Sequence, residues 1–79
     1  RSLVFCNTKR MAEILVDYLK VNNYPAAALT GDVPQKKRLS ILERFKKKEI
    51  TILVATDVAS RGLHIDNVTH VFNYDLPQD

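Results

Sequence analysis

The sequence has one cysteine, two glycines and no apolar run longer than a few residues. Each shortage removes a class of function. A single cysteine, Cys6, excludes a disulfide within the chain, and a reducing, intracellular setting is expected. Cys6 closes an apolar run and reads as a small buried hydrophobe; a reactive thiol is the rival reading. With Gly31 and Gly62 as the only glycines, there is no G-x-x-x-x-G-K-[ST] phosphate loop, so the chain does not cradle a triphosphate by that route. His64 and His70 have no third ligand at metal spacing and read as structural or solvent-facing. Ser60 and His64 lack the nucleophile elbow that a hydrolytic triad needs. No run approaches the ~20 apolar residues of a membrane span, and no signal-peptide pattern opens the chain. The expectation is a cytoplasmic protein with no membrane contact.

What is present suits a small globular unit. The 79 residues make one domain at most, with 46% apolar and 27% charged side chains. A domain this size buries only roughly 60–65% of its unfolded surface, so marginal stability is expected. The chain starts almost inside a strand at Leu3 and stops just after Leu76-Pro77, which reads as cuts through a larger fold. Net charge is +3, and its distribution is uneven. Lys36, Lys37, Arg38, Arg44, Lys46, Lys47 and Lys48 cluster, opposed only by Glu43. Lys46 to Lys48 read as a solvated last helical turn that complements the helix dipole. Lys36 to Arg38 read as a phosphate-facing patch.

The order of elements follows from periodicity. Leu3-Val4-Phe5-Cys6 predicts a strand buried on both faces. Asn7 or Thr8 caps the helix that follows, in which Met11, Ile14, Leu15, Tyr18 and Leu19 form one apolar stripe toward a core. Asn22-Asn23-Tyr24-Pro25 ends it. Ala26 to Leu29 has poor β propensity but occupies a strand's place in the alternation. Thr30-Gly31-Asp32 is a turn, with Pro34 at the first position of a second helix. That helix runs from about Pro34 to Lys47 and buries Ile41, Leu42 and Phe45. Ile50 to Ala55 predicts a third strand, Val58-Ala59-Ser60 one helical turn, and Val68 to Asn73 a fourth strand. The fold class is therefore α/β, a parallel sheet flanked by helices. Right-handed crossovers put every strand's carboxyl end on one edge.

That edge gathers the polar residues. Asn7, Thr8 and Lys9 follow the first strand; Thr30, Gly31 and Asp32 follow the second and lead to Gln35 and Arg38. Thr56, Asp57, Arg61 and Gly62 follow the third, and Tyr74 and Asp75 the fourth. In open α/β sheets ligands bind at this edge. Hydroxyls, amides, cations and helix N-termini in a row suit a phosphodiester backbone. Few base-stacking aromatics share the row, which points to gripping backbone without reading sequence.

The wording of these segments resembles the second RecA-like domain of the DEAD-box ATP-dependent RNA helicases over nearly the whole chain. Ser2 to Lys9 looks like motif IV. Leu29-Thr30-Gly31-Asp32 looks like the lead-in to motif IVa, and Gln35-Lys36-Lys37-Arg38 matches its QxxR element. Ala55 to Gly62 (ATDVASRG) matches motif V, and Val68 to Asp75 looks like motif Va. The resemblance implies a P-loop NTPase-type, RecA-like fold, incomplete at its carboxyl end, with residues 1–79 as part of a helicase C-terminal domain.

By the same resemblance the intact protein is an ATP-dependent RNA helicase that couples hydrolysis to duplex unwinding. Thr8, Lys9, Gly31, Gln35, Arg38, Thr56, Asp57 and Gly62 are the implied contacts to single-stranded RNA backbone. Asp57 either orients its loop and links the RNA and ATP sites or simply caps the short helix. Gly62 also fits a left-handed turn. Arg61 belongs to the network toward the interdomain cleft, or to a plain surface ion pair. His64 stands where the family usually has an Asp beside the ATP ribose; imidazole still donates a hydrogen bond but carries no fixed negative charge. ATP and Mg2+ are implied for the intact enzyme, with the first RecA-like domain as partner and no cofactor on this chain alone. The phosphate loop and motif VI with its arginine fingers lie outside the sequence, so no catalytic residue is assigned within it. TGD-Val-Pro-QKKRL, GLHI and THVFNYDLP resemble a bacterial branch that works beside an RNA-degrading nuclease, which is the implied protein partner. Three other readings stay open: a DNA helicase or translocase of the same superfamily, a module that docks a nuclease, and a flavodoxin-like or receiver domain.

Overall fold

The computed structural model describes residues 1–56 and 70–74. Four parallel strands form one sheet: β1 (Ser2–Cys6), β2 (Ala26–Leu29), β3 (Ile52–Thr56) and β4 (His70–Tyr74), in the order β2-β3-β1-β4. Helices α1 (Lys9–Val21) and α2 (Gln35–Lys46) connect β1 to β2 and β2 to β3. The first connection passes over β3 to reach β2, and the second runs back. With right-handed crossovers, that reversal sends the two helices to opposite faces.

The cores show this. Leu3, Leu29, Leu53 and Ala55 pack with Ile41, Phe45 and Ile50 on the α2 face. Cys6, Ala26 and Val54 pack with Ala12 and Val16 on the α1 face. Successive residues of each strand thus serve opposite layers, as a period of two requires. Leu53, Val54 and Ala55 of β3 are fully buried. The alanine run of β2 is a strand because α1 packs closely on it and β3 pairs with it, which outweighs its weak propensity.

Several expectations shift in detail. The buried stripe of α1 is rotated: Ala12 and Val16 are the inward positions, Met11, Leu15 and Leu19 pack half-buried beside them as expected, and Ile14 and Tyr18 are exposed. Small residues let the helix approach the alanines of β2, and this outweighs the pull of the larger side chains on the flank. Pro34 is the N-cap of α2, not its first residue; its ψ of 150° is extended and it offers no side-chain bond to the helix. β3 starts at Ile52 and extends to Thr56, and β4 includes Tyr74, because register with β1 carries both strands level with Cys6. Residues 57–69, with the expected short helical turn, lie outside the described residues, as does the start predicted for the fourth strand.

Both helices end alike. The N–H of Tyr24 donates to Leu19 O and that of Asn23 to Lys20 O; the N–H of Glu49 donates to Arg44 O and that of Lys48 to Phe45 O. Each is a Schellman closure, with Asn23 and Lys48 at φ 67°. Asn tolerates that left-handed position, whereas Lys has no local compensation for it. Lys48→Gly is expected to stabilise the domain by about 0.5–1 kcal/mol, read as a higher urea midpoint; an unchanged or lower midpoint would contradict it.

Candidate nucleic-acid interface

The carboxyl edge of the sheet is built from four strand ends and two helix starts. Thr8 is the N-cap of α1, with extended backbone, and its Oγ1 accepts a hydrogen bond from the N–H of Met11 at 3.2 Å. Accepting there leaves the hydroxyl proton as a donor toward the edge. Lys9 is the first residue of α1 and is exposed. Its ammonium pairs with Asp32 and lies 4.0 Å from Glu13. The hydrogen bond to the Asp32 carboxylate, then the charges of Asp32 and Glu13, hold the Lys9 amine above the ordinary lysine range.

This ion pair joins the loop after β1 to the loop after β2, although β3 runs between those strands. It therefore ties together the two loops that flank the end of β3, where Thr56 sits. Thr56 is the last residue of β3, opposite Cys6, and only 6% exposed. Gly31 is an exposed turn residue beyond β2, and Gln35 is the exposed first residue of α2. Arg38 is half-buried, its backbone N–H donating to Pro34 O at 2.8 Å. Tyr74 ends β4 at the same level as Cys6 and Thr56, and is exposed. The structure thus brings Thr8, Lys9, Gly31, Gln35, Arg38 and Thr56 to one edge. Asp57, Arg61, Gly62 and His64 lie outside the described residues.

Electrostatics favours an anion there. Both helices point their N-termini at this edge, and neither has an acidic residue in its first turn. Alpha2 also lacks a side-chain cap, so its first N–H groups have no such partner. Its first turn carries Lys36, Lys37 and Arg38 instead. Cations at the positive end of a helix dipole each cost roughly 0.3–1 kcal/mol. The placement opposes stability of the free domain and becomes favourable when an anion arrives. The basic residues at the other end, Arg44 and Lys46, complement the dipole, with Arg44 3.9 Å from Glu49 and Lys47 3.5 Å from Glu43. Asp32 was placed at this edge by the sequence but not among the RNA contacts, and its role as partner of Lys9 was missed. Its signal was a carboxylate in the loop facing a lysine in the neighbouring loop at one sheet edge.

Among the described residues no group of three His, Cys, Asp or Glu side chains could hold a metal ion, and no helix is long and apolar enough to cross a membrane.

The family model for the helicase conserved C-terminal domain matches residues 1–79. The ATP-dependent RNA helicase RhlB of Shewanella halifaxensis is 61% identical over 79 residues, which cover all of this chain and 18% of that protein. The E. coli DEAD-box protein SrmB, solved bound to regulator of ribonuclease activity A, superposes with a TM-score of 0.90 at 38% identity, over 98% of this chain and 45% of that one. A Dbp5 variant of S. cerevisiae, solved bound to RNA and ADP BeF3, gives a TM-score of 0.82 at 34% identity, over 98% of this chain and 20% of its own.

Proposed function

We propose, from the premise that this chain belongs to the helicase conserved C-terminal domain family, that it is part of the second RecA-like domain of an ATP-dependent RNA helicase and grips one RNA strand by its backbone. The observation that carries this reading is the cationic, acid-free first turn of α2 beside Thr8, Lys9, Gly31 and Thr56. Phosphates spaced along one strand would meet the N-terminus of α2 with Arg38 and Gln35, then the turn at Gly31, then Thr8 and Lys9. Arg38 suits phosphate because its planar guanidinium offers a fork of donors. Lys9 would exchange Asp32 for phosphate, so strand binding and the tie between the two loops are coupled. By resemblance Asp57 and Gly62 extend the same row.

The whole protein's activity is part of the proposal, because the chain spans about 18% of the length of the RhlB relative. ATP with Mg2+, when bound, would supply the phosphoryl-transfer chemistry. By the resemblance both would be held mainly by a first RecA-like domain, with Arg61 and His64 as this chain's side of the cleft. An RNA-degrading nuclease as partner, a part in RNA degradation and a cytoplasmic location are proposed on the resemblance alone.

The test is single-stranded RNA binding by the full-length protein across a salt series, with Arg38→Ala beside it. We expect the variant to lose about tenfold or more in affinity, with a log–log salt slope shallower by about 0.7. A correctly folded variant that binds RNA as the parent does would refute the assignment. Preference for single-stranded DNA in the same assay would favour the DNA-helicase reading.

A further inference from the structure

The outer side of β2 forms the floor of an open groove of about 360 Å3, walled by α1 and α2. Ala26, Ala27 and Ala28 line it. Among the described residues β2 pairs only with β3. Its other edge is therefore a row of backbone donors and acceptors, which is a template for another strand. Alanine side chains on both faces leave room for a second backbone at strand spacing, about 4.8 Å.

The two walls carry opposite charge. Alpha1 presents Glu13 and Asp17, with Lys20 beyond them in its last turn; α2 presents Lys37 and Arg44. Among the described residues no ion pair crosses the groove: Glu13 lies 4.0 Å from Lys9, and Arg44 lies 3.9 Å from Glu49. Opposite charges stand apart on either side of a strand edge that no described strand pairs with.

An added strand would bridge them. Its alternate side chains point to opposite faces, so one set meets the acids of α1 and the other the cations of α2. The spacings agree. Residues i and i+2 of a strand are about 6.7 Å apart, and Glu13 and Asp17 are separated by a helical rise of about 6 Å. Lys37 and Arg44 are separated by about 10.5 Å of rise, within reach of long acidic side chains at i−1 and i+3. We propose that the edge of β2 is a docking site for an extended segment of a partner protein, which joins the sheet as a further parallel or antiparallel strand and presents alternating basic and acidic side chains of the pattern Glu-Arg-x-Arg-Glu. The groove shares Lys37 with the cationic first turn of α2, but its alanine floor, its acidic wall and Arg44 lie outside the set of proposed RNA contacts, and strand addition there does not depend on the RNA reading.

The test uses the full-length protein and a labelled peptide with the core Glu-Arg-Val-Arg-Glu, followed by fluorescence anisotropy and by amide hydrogen exchange. Binding is expected to slow exchange across Ala26–Leu29. N-methylation of alternate peptide amides, which removes backbone donors but keeps the charges, is expected to weaken binding at least tenfold. Asp17→Lys is expected to weaken it by a similar factor, with recovery when the facing peptide arginine is replaced by glutamate. Equal binding of the N-methylated peptide, or unchanged exchange in β2, would overturn strand addition. Absence of peptide binding, with self-association of the protein that Asp17→Lys abolishes, would overturn it in favour of a second copy at this edge.

Discussion

The 79-residue chain by itself is expected to release no phosphate from ATP above background, with or without RNA. The reason is compositional before it is structural. A phosphate loop needs glycines in one short segment so that several N–H groups can converge on a triphosphate. Gly31 and Gly62, the only two, are far apart in sequence, and Gly31 lies in the turn after β2. Arginine fingers account for ~10³-fold or more in phosphoryl transfer, and the resemblance places them beyond Asp79. A coupled phosphate assay on the purified chain, beside the full-length protein, checks this. RNA-dependent turnover by the chain alone on the order of 1 s⁻¹, a usual enzymatic rate, would overturn the two-domain reading of the site.

Phe45→Ala is expected to remove about 3–5 kcal/mol of stability, which is much of the ~5–15 kcal/mol that a domain has. Phe45 is 1% exposed and packs among Leu3, Leu29, Ile41, Ile50 and Leu53. The cavity is costly here because Phe45 also organises the start of the sheet. The Arg1 guanidinium lies 5.3 Å from its ring centroid and donates to Phe45 O at 2.9 Å and Lys46 O at 3.2 Å. Arg1 thereby caps the last carbonyls of α2 and fixes the entry to β1. Urea unfolding with an unchanged m-value would report the loss. A loss below about 1.5 kcal/mol would mean that the pocket collapses around the smaller side chain.

The alternation of apolar runs and amphipathic stretches was enough to read the elements from β1 to β3, because both layers of a parallel sheet need continuous apolar strands. It also located the polar edge, since crossover handedness leaves the strand ends together. Burial was harder to read. Ile14 and Tyr18 look like core by size, and Ala12 and Val16 do not. Contact with the alanines of β2 rewards close approach rather than bulk, and no pattern along α1 alone can express that. Pro34 was misplaced by one residue because its preference for a helix start does not distinguish the cap from the first turn. The pairing of Lys9 with Asp32 escaped because it depends on strand order, which sequence neighbours do not state. Motif wording put Thr56 at the end of β3, while its burial followed only from its register beside Cys6.

The position of β1 between β3 and β4 has a consequence for how a ribosome delivers this chain. Of the four strands described, the one made first belongs in the interior, and the two that pair with it are made last. Residues 7–51 lie between the end of β1 and the start of β3, which at ~5–20 residues per second take roughly 2–9 s to synthesise. Throughout that interval Leu3-Val4-Phe5-Cys6 is an apolar segment without either of the strands that flank it in this sheet. It is the stretch of the nascent polypeptide that a holding chaperone would be expected to cover, and its release would be timed by the emergence of Leu53-Val54-Ala55.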